Sequence, residues 1–134
     1  MNRKLAAALA AIALIAPVAL SAKAPAADRP DLDAQARCAA LFALVARDQN
    51  FKVPGSERYP SMAEGGREFF IETGLRLLNE RKMPEAELKP YFVALIDGIE
   101  KEHAAAPDPA ARRASEMDGC LKMRERVLSS KRAN

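Results

Sequence analysis

Residues 61–82 form a predicted amphipathic helix whose apolar face is too wide for a helix with a single neighbour. At 100° per residue, its apolar and small side chains cover an arc of about 240°. A surface helix of a globular protein carries an apolar stripe only somewhat wider than about 100°. We therefore expect this helix to contact neighbours on at least two sides, with the rest of the chain arranged around it. Ser61 and Glu64 have the spacing of a capping box, which predicts the helix start.

The same helical wheel separates core positions from surface positions within this helix. Three large apolar side chains lie inside the arc, whereas two acidic side chains of the first turns lie outside it. We predict that Phe69, Phe70 and Leu77 belong to the core and that Glu68 and Glu72 are exposed.

Three further stretches show helical periodicity: residues 32–48, 84–103 and 109–130. Each begins with a helix-start signal, either an aspartate cap or a proline in the first turn. Pro90 lies inside the second stretch, where it either kinks the helix or restarts it. No stretch alternates as a strand requires. The predicted fold is therefore all-α, an antiparallel four-helix bundle.

Residues 49–60 form the one long connection between predicted helices. Two prolines and a glycine exclude a regular helix there. A loop of this length in a compact domain is often functional or mobile, and the alternative is a packed crossover between helix ends. In the packed form, we expect Phe51, Val53 and Tyr59 to hold the loop against the bundle.

Residues 1–26 have the pattern of a secretory signal peptide and leader. Arg3 and Lys4 precede an apolar run, residues 5–20, and small residues follow it. A retained membrane anchor is the alternative, but the run is short for the roughly 20 residues of a bilayer span. We expect cleavage, a single helical domain at 27–134, and a periplasmic or secreted protein with no stable membrane anchor.

The charge balance depends on that leader. The whole chain has 21 Lys and Arg residues, 18 Asp and Glu residues and a net charge of +3. Arg3, Lys4 and Lys23 lie in the predicted leader, and no acidic residue does. The predicted mature domain therefore carries 18 residues of each sign, so a basic face for nucleic acid is not expected.

The chain contains two cysteines, Cys38 and Cys120, in the predicted first and last helices. In an exported protein an even number of cysteines favours a disulfide. We predict that this bond cross-links the two helices, and that Gly119 lets their backbones approach. The rival interpretations are two reduced, buried cysteines, or a Cu(I) site that combines the thiolates with Met117 and Met123.

Other chemistry-bearing patterns are weak. Glu100 and His103 have the Glu-x-x-His spacing of di-iron bundles, but that design needs a second histidine and the chain has one. Gly65 and Gly66 could expose backbone amides to an anion, although close helix packing explains them as well. We expect no catalytic residue, no cofactor and no metal site.

These patterns favour a non-enzymatic binding or interaction protein with an unknown protein or small-molecule partner. No motif assigns a family. The general architecture is similar to that of small acid-stress chaperones of the bacterial periplasm, so a stress or chaperone role is one expectation. The alternative is a carrier of a small ligand or metal between the helices. An exposed apolar patch favours the first, and a pocket with a few polar groups favours the second.

The leader generates a direct prediction. Exported protein should begin between Lys23 and Ala27 and remain in the soluble fraction, because small residues after an apolar run are typical of a cleavage site. The intact mass of the exported protein measures this. A membrane-bound product that retains Met1 would contradict it.

Overall fold

The computed structural model describes residues 29–133, and every regular element in that range is helical. The four long α-helices and one single-turn α-helix are α1 Leu32–Asn50, α2 Met62–Gly65, α3 Arg67–Glu80, α4 Glu85–Ala105 and α5 Pro109–Arg132, and a 3₁₀ helix spans Ser56–Arg58. The prediction of an all-α fold with four main helices is confirmed. The antiparallel order of the helices stays a prediction, and the predicted signal peptide lies outside the described residues.

Helix α1, rather than the 61–82 segment, is the element around which the others pack. Eleven of its 19 residues are buried, and it contacts α2, α3, α4 and α5. Leu41, Phe42 and Leu44 point in different directions around the helix, and all three are buried. The expected central position of 61–82 is therefore wrong. Residues 38–46 contain no charged side chain, so α1 can be enclosed on every side.

The 61–82 segment is interrupted by a turn at Gly66, which separates α2 from α3. A Cβ atom at Gly66 would lie 3.2 Å from the Cβ of Phe42, so the glycine allows close packing on α1. The predicted side-chain cap at Ser61 is absent. Instead, the backbone N–H of Met62 donates to Oε1 of Gln49 at 3.0 Å, so α1 holds the start of this segment.

The core assignments within the segment are largely confirmed. Phe69 and Leu77 are fully buried, and the Phe69 ring contacts Phe42 edge-on with centroids 5.4 Å apart. Glu68 is exposed. Phe70 and Glu72 are both half-buried, so neither prediction for them holds in full.

The connection after α1 is a packed crossover held by one amide side chain. Tyr59 is half-buried as expected, but Phe51 and Val53 are exposed, so their predicted anchoring role is wrong. The side chain of Gln49 holds the loop instead, because it lies at the start of the loop and spans it. Its Nε2 lies within 3.1 Å of three loop carbonyl oxygens: those of Ser56, Tyr59 and Pro60.

The predicted helix starts are confirmed at both ends of the domain. Asp31 caps α1 by accepting from the Ala34 N–H, and Asp108 caps α5 by accepting from the Ala111 N–H, each at 3.0 Å. Helix α4 runs through Pro90 without restarting. Pro90 lies in the second turn, where its missing N–H removes only one early hydrogen bond.

The predicted disulfide is present between Cys38 on α1 and Cys120 on α5, with their Cα atoms 5.2 Å apart. The cysteines are separated by 82 positions, so closing this loop stabilises the fold by about 4 to 5 kcal/mol in the chain-entropy treatment, less any strain. The expected role of Gly119 is wrong. It is exposed, and a Cβ there would meet no atom within 4 Å.

Burial predicts how two neighbouring apolar residues of α3 differ in their contribution to stability. Phe69→Ala should cost about 3 to 5 kcal/mol of unfolding free energy, because it leaves a cavity against α1. Ile71→Ala should cost less than about 1 kcal/mol, because Ile71 is 51% exposed. Urea unfolding of both variants measures the difference, and equal costs would mean that α3 presents a different face to α1.

Candidate functional site

An apolar groove opens between α3 and α4. Its volume is about 490 Å³, and Ala43 of α1 contributes to its lining between the two helices. Ile71, Leu75 and Val93 line it and are 51%, 47% and 49% exposed. The wide apolar arc predicted for the 61–82 segment is therefore only half covered by the protein, and its other half faces this groove.

Small residues keep the groove open. Ala43 and Gly74 both line it, and a Cβ atom at Gly74 would meet nothing within 4 Å. The rings of Phe70 and Phe92 also line it, with centroids 4.5 Å apart, and they join α3 to α4. The groove is thus a space that larger side chains at two positions would fill.

The chemistry of the groove is almost entirely apolar. Lys89 contributes the one charged side chain of the lining. The remaining residues are Ala43, Phe70, Ile71, Gly74, Leu75, Leu78, Leu88, Phe92, Val93 and Ile96. The lining contains no carboxylate, histidine or hydroxyl, so Lys89 has no acid–base partner within it. What it can do is bind apolar surface.

A second feature is an ion-pair cluster that joins α1, α4 and α5. Nε of Arg37 donates to Oε1 of Glu116 at 2.5 Å, and Nη2 of Arg37 donates to Oε2 of Glu102 at 2.6 Å. Nε2 of His103 lies 2.8 Å from Oε2 of Glu116. His103 is 3% exposed, and its Nδ1 has no hydrogen-bond partner among the described residues.

The electrostatics of this cluster centre on Glu116. Burial by itself raises the pKa of its carboxyl group, but hydrogen bonds from Arg37 and then His103 outweigh burial and lower the pKa below the ordinary 4.5. The two carboxylates also raise the pKa of the Arg37 guanidinium. Arg37, Glu102 and Glu116 are therefore ionised at neutral pH, and together they link three helices.

The Glu-x-x-His pair does not form a joint site. Oε1 of Glu100 accepts from Nη2 of Arg47 at 2.6 Å, whereas His103 is bonded to Glu116. Within residues 29–133, no group of three or more His, Cys, Asp or Glu side chains is placed to hold a metal ion. A cavity of about 440 Å³ lies beside His103, between the crossover loop and the ends of α4 and α5.

The sulfur and glycine candidates serve packing. Met117 is buried in the core, and Cys120 is oxidised in the disulfide, so it is not a thiolate ligand. Gly66 packs on α1, and the carbonyl oxygen of Gly65 accepts from Nη1 of Arg124 at 3.1 Å. Both glycines thus support the packing interpretation.

Sequence reasoning missed the residues that define both features. Arg37 and Glu116 are separated by 79 positions, and no local motif connects them. A weak signal for the groove was present: Ala43 and Gly74 are small residues on otherwise apolar helix faces. That pattern is equally typical of close helix packing, so it does not distinguish a groove from a contact.

Comparison with known proteins gives no match to a family model, a curated protein or a solved structure. None of the helices within residues 29–133 is both long enough and apolar enough to cross a membrane.

The lowered pKa of Glu116 predicts an acid-dependent loss of stability. A carboxyl group with a depressed pKa in the folded state stabilises the fold above its ordinary pKa, and this contribution disappears as the pH falls through the folded-state value. Wild-type protein should therefore lose thermal stability below about pH 4.5 more steeply than Glu116→Gln.

Thermal unfolding at a series of pH values from neutral to acid measures this difference. Glu125→Gln is the matched control, because Glu125 is exposed on the same helix and forms no ion pair within the described chain. It should follow the wild-type profile. Identical profiles for Glu116→Gln and wild type would show that the cluster does not contribute to acid sensitivity.

Proposed function

We propose that this chain is a small exported, non-enzymatic interaction protein, an antiparallel four-helix bundle that binds an apolar helix of a partner protein. The observation that carries the proposal is the groove between α3 and α4. Ile71, Leu75 and Val93 stay half-exposed at its edges, although each would be more stable buried. Contiguous exposed apolar side chains of this kind mark interaction sites.

The near absence of polar side chains in the groove favours a helical occupant. An extended peptide needs hydrogen-bond partners for its backbone N–H and C=O groups, and burial without them is costly. The groove lining offers one polar side chain, that of Lys89. A helix satisfies its own backbone and inserts side chains spaced at i, i+3, i+4 and i+7, which is the helix-in-groove mode of recognition.

The charge of Lys89 indicates which side chains the partner helix should carry. Lys89 lines the groove and forms no ion pair with any residue in the described range. An acidic residue beside the apolar stripe of the partner would complement it, at a modest gain because the pair would lie near solvent. The partner helix we propose is therefore amphipathic, with an acidic flank.

Export supports the same function. A disulfide between Cys38 and Cys120 persists in an oxidising compartment such as the periplasm or the extracellular space. The predicted signal peptide would direct the protein to such a compartment. Proteins that unfold in such a compartment expose amphipathic helices, so a stress or chaperone role uses the same groove chemistry.

The second candidate function is a small-ligand carrier. It is favoured by the cavity of about 440 Å³ beside His103, whose lining includes the polar side chains of Arg58, Glu100 and Arg113. It concerns a different part of the molecule from the groove.

The groove proposal is tested with a synthetic peptide of 14 residues, the length of α3, with leucines at i, i+3, i+7 and i+10 and glutamates flanking them. It should bind wild-type protein, and a scrambled peptide of the same composition should bind at least about tenfold more weakly. Leu75→Asp should weaken binding by about tenfold or more, because the complex would bury an unpaired charge. Fluorescence anisotropy of labelled peptide measures both.

Val53→Asp is the matched control, because Val53 is similarly exposed but lies in the crossover loop, outside the groove. It should bind as wild type does, and circular dichroism should show that all variants are folded. Equal binding of the scrambled peptide would contradict the proposal. So would a wild-type dimer that Leu75→Asp dissociates, or dodecanoate binding without peptide binding, because a second copy or an acyl chain would then be the occupant.

A further inference from the structure

The solvent-facing side of α4 carries charges in an order that is complementary to itself. At steps of four residues it presents Glu85, Lys89, Val93, Asp97 and Lys101, and all five side chains are exposed. Residues four positions apart are neighbours on a helix surface, so these five form one continuous row, which we call the α4 ridge. Read in the reverse direction, the ridge has the opposite charge at each position and the same valine at its centre.

None of the four charges of the ridge is paired with another residue in the range 29–133. Glu85 and Lys89 have the spacing and order that favour an ion pair along a helix, and so do Asp97 and Lys101. The structure forms neither pair, and its ion pairs involve other residues throughout. The charges of the ridge are therefore available to a second molecule.

A second copy of α4 is a partner that this ridge fits. We consider a two-fold axis that passes beside Val93 at right angles to the helix, so that the two helices run antiparallel. Lys89 of one copy then faces Asp97 of the second copy, and the same contact repeats on the other side of the axis. Both residues lie about 6 Å along the helix from Val93 and about 40° to either side of it, so the contacts flank two valines that cover each other.

The charge order also selects the direction of the second helix. In a parallel pair, Lys89 would lie beside Lys89 of the second copy, and Asp97 beside Asp97. Like charges placed together disfavour association, whereas the antiparallel pair joins opposite charges at both contacts. Val93 is 49% exposed, so covering it adds an apolar contribution in either direction.

We propose that two copies of this protein associate through their α4 ridges, antiparallel, with Val93 at the axis and an ion pair from Lys89 to Asp97 on each side. Glu85 and Lys101 continue the alternation about 12 Å from the axis, where they attract the second copy only through solvent. Exposed ion pairs contribute little individually, and the ridge offers one large apolar side chain per copy. The dimer is therefore weak, and it forms at high protein concentration and low salt.

This pairing would regulate the groove between α3 and α4. Lys89 and Val93 belong to the ridge and also line the groove. A second copy on the ridge covers that edge of the groove, so the second copy and the partner helix compete for the same two side chains. The pairing itself does not depend on the groove, but this competition rests on the proposed function.

Sedimentation equilibrium of the purified, disulfide-bonded protein measures the pairing. At low salt and protein concentrations from about 10 μM to 1 mM, wild type should show a reversible equilibrium between monomer and dimer. Raising the salt to about 0.5 M should weaken the dimer at least threefold, because exposed charges are screened. A protein that stays monomeric throughout this range would overturn the proposal.

Charge reversal connects the dimer to named residues. Lys89→Asp and Asp97→Lys should each weaken dimerisation by about tenfold or more, because each places like charges at both contacts. The double variant exchanges the two charges at unchanged net charge, and it should dimerise as wild type does. A double variant as weak as the single variants would overturn the antiparallel contact.

Arg126→Asp is the matched control for Lys89→Asp. It makes the same change of net charge at an exposed arginine on α5, outside the ridge, and it should dimerise as wild type does. An equal loss in this control would show that only net charge matters, and would overturn the assignment to the ridge. Leu75→Asp should also leave the dimer intact, since Leu75 lies on α3. Dissociation by Leu75→Asp would place the second copy in the groove instead of on the ridge.

The leucine–glutamate peptide designed for the groove separates the two proposals. At saturation it should convert the wild-type dimer into monomers that each carry one peptide. A dimer that persists with peptide bound would overturn the competition. Asp97 does not line the groove, so the monomeric Asp97→Lys variant should bind the peptide. Failure of that binding would contradict the groove proposal and leave the pairing supported by its own measurements.

Discussion

The burial of the middle of α1, residues 38–46, is the constraint on which the other helices depend. Helix α1 contacts every other α-helix, so each of those helices needs an apolar face that packs against α1. A helix enclosed in this way tolerates polar side chains only when they have partners. Gln35 shows this: it is fully buried, its Nε2 donates to Oγ1 of Thr73 at 3.0 Å, and its oxygen accepts from Nη1 of Arg76. The α1–α3 contact is thus specific as well as apolar.

Helix α5 is attached to this centre in a different way. It buries only Met117, Cys120 and Val127 out of 24 residues, too few for apolar packing to fix its position alone. The disulfide to Cys38, the ion pair from Arg37 to Glu116 and the ion pair from Arg113 to Asp48 add to this packing. The position of α5 therefore depends on oxidation of the cysteines and on ion pairs as well as on apolar packing.

The sequence predicted the helices well because their signals are local. The Asp31 and Asp108 caps involve residues three positions apart, and the disulfide followed from a count of two cysteines together with the expected export. The identity of the central helix was not predictable in the same way. Alanine suits both buried and exposed helix positions, so the run of small residues in α1 did not show that all its sides are covered.

The groove and the surroundings of His103 could not be predicted from the sequence, because both depend on which helices pack beside them. A helical wheel shows that Phe69 and Ile71 both lie in one apolar arc, but it does not show that α1 covers one and leaves the other open. The same limit applies to His103. Its spacing from Glu100 suggested a shared site, whereas its real partner is Glu116 on another helix.

The open groove also makes the fold less stable than it would be with the groove filled. A larger side chain at Ala43 or Gly74 would fill the space between α3 and α4 and bury more of Leu75 and Val93, at roughly 25 cal/mol for each Å² removed from water. Gly74 carries a further cost of about 1 kcal/mol relative to alanine inside a helix. Residues that lower stability in this way are expected at functional sites, where an open surface is needed. That combination supports the groove, rather than the helix ends or the crossover loop, as the site of the proposed partner helix.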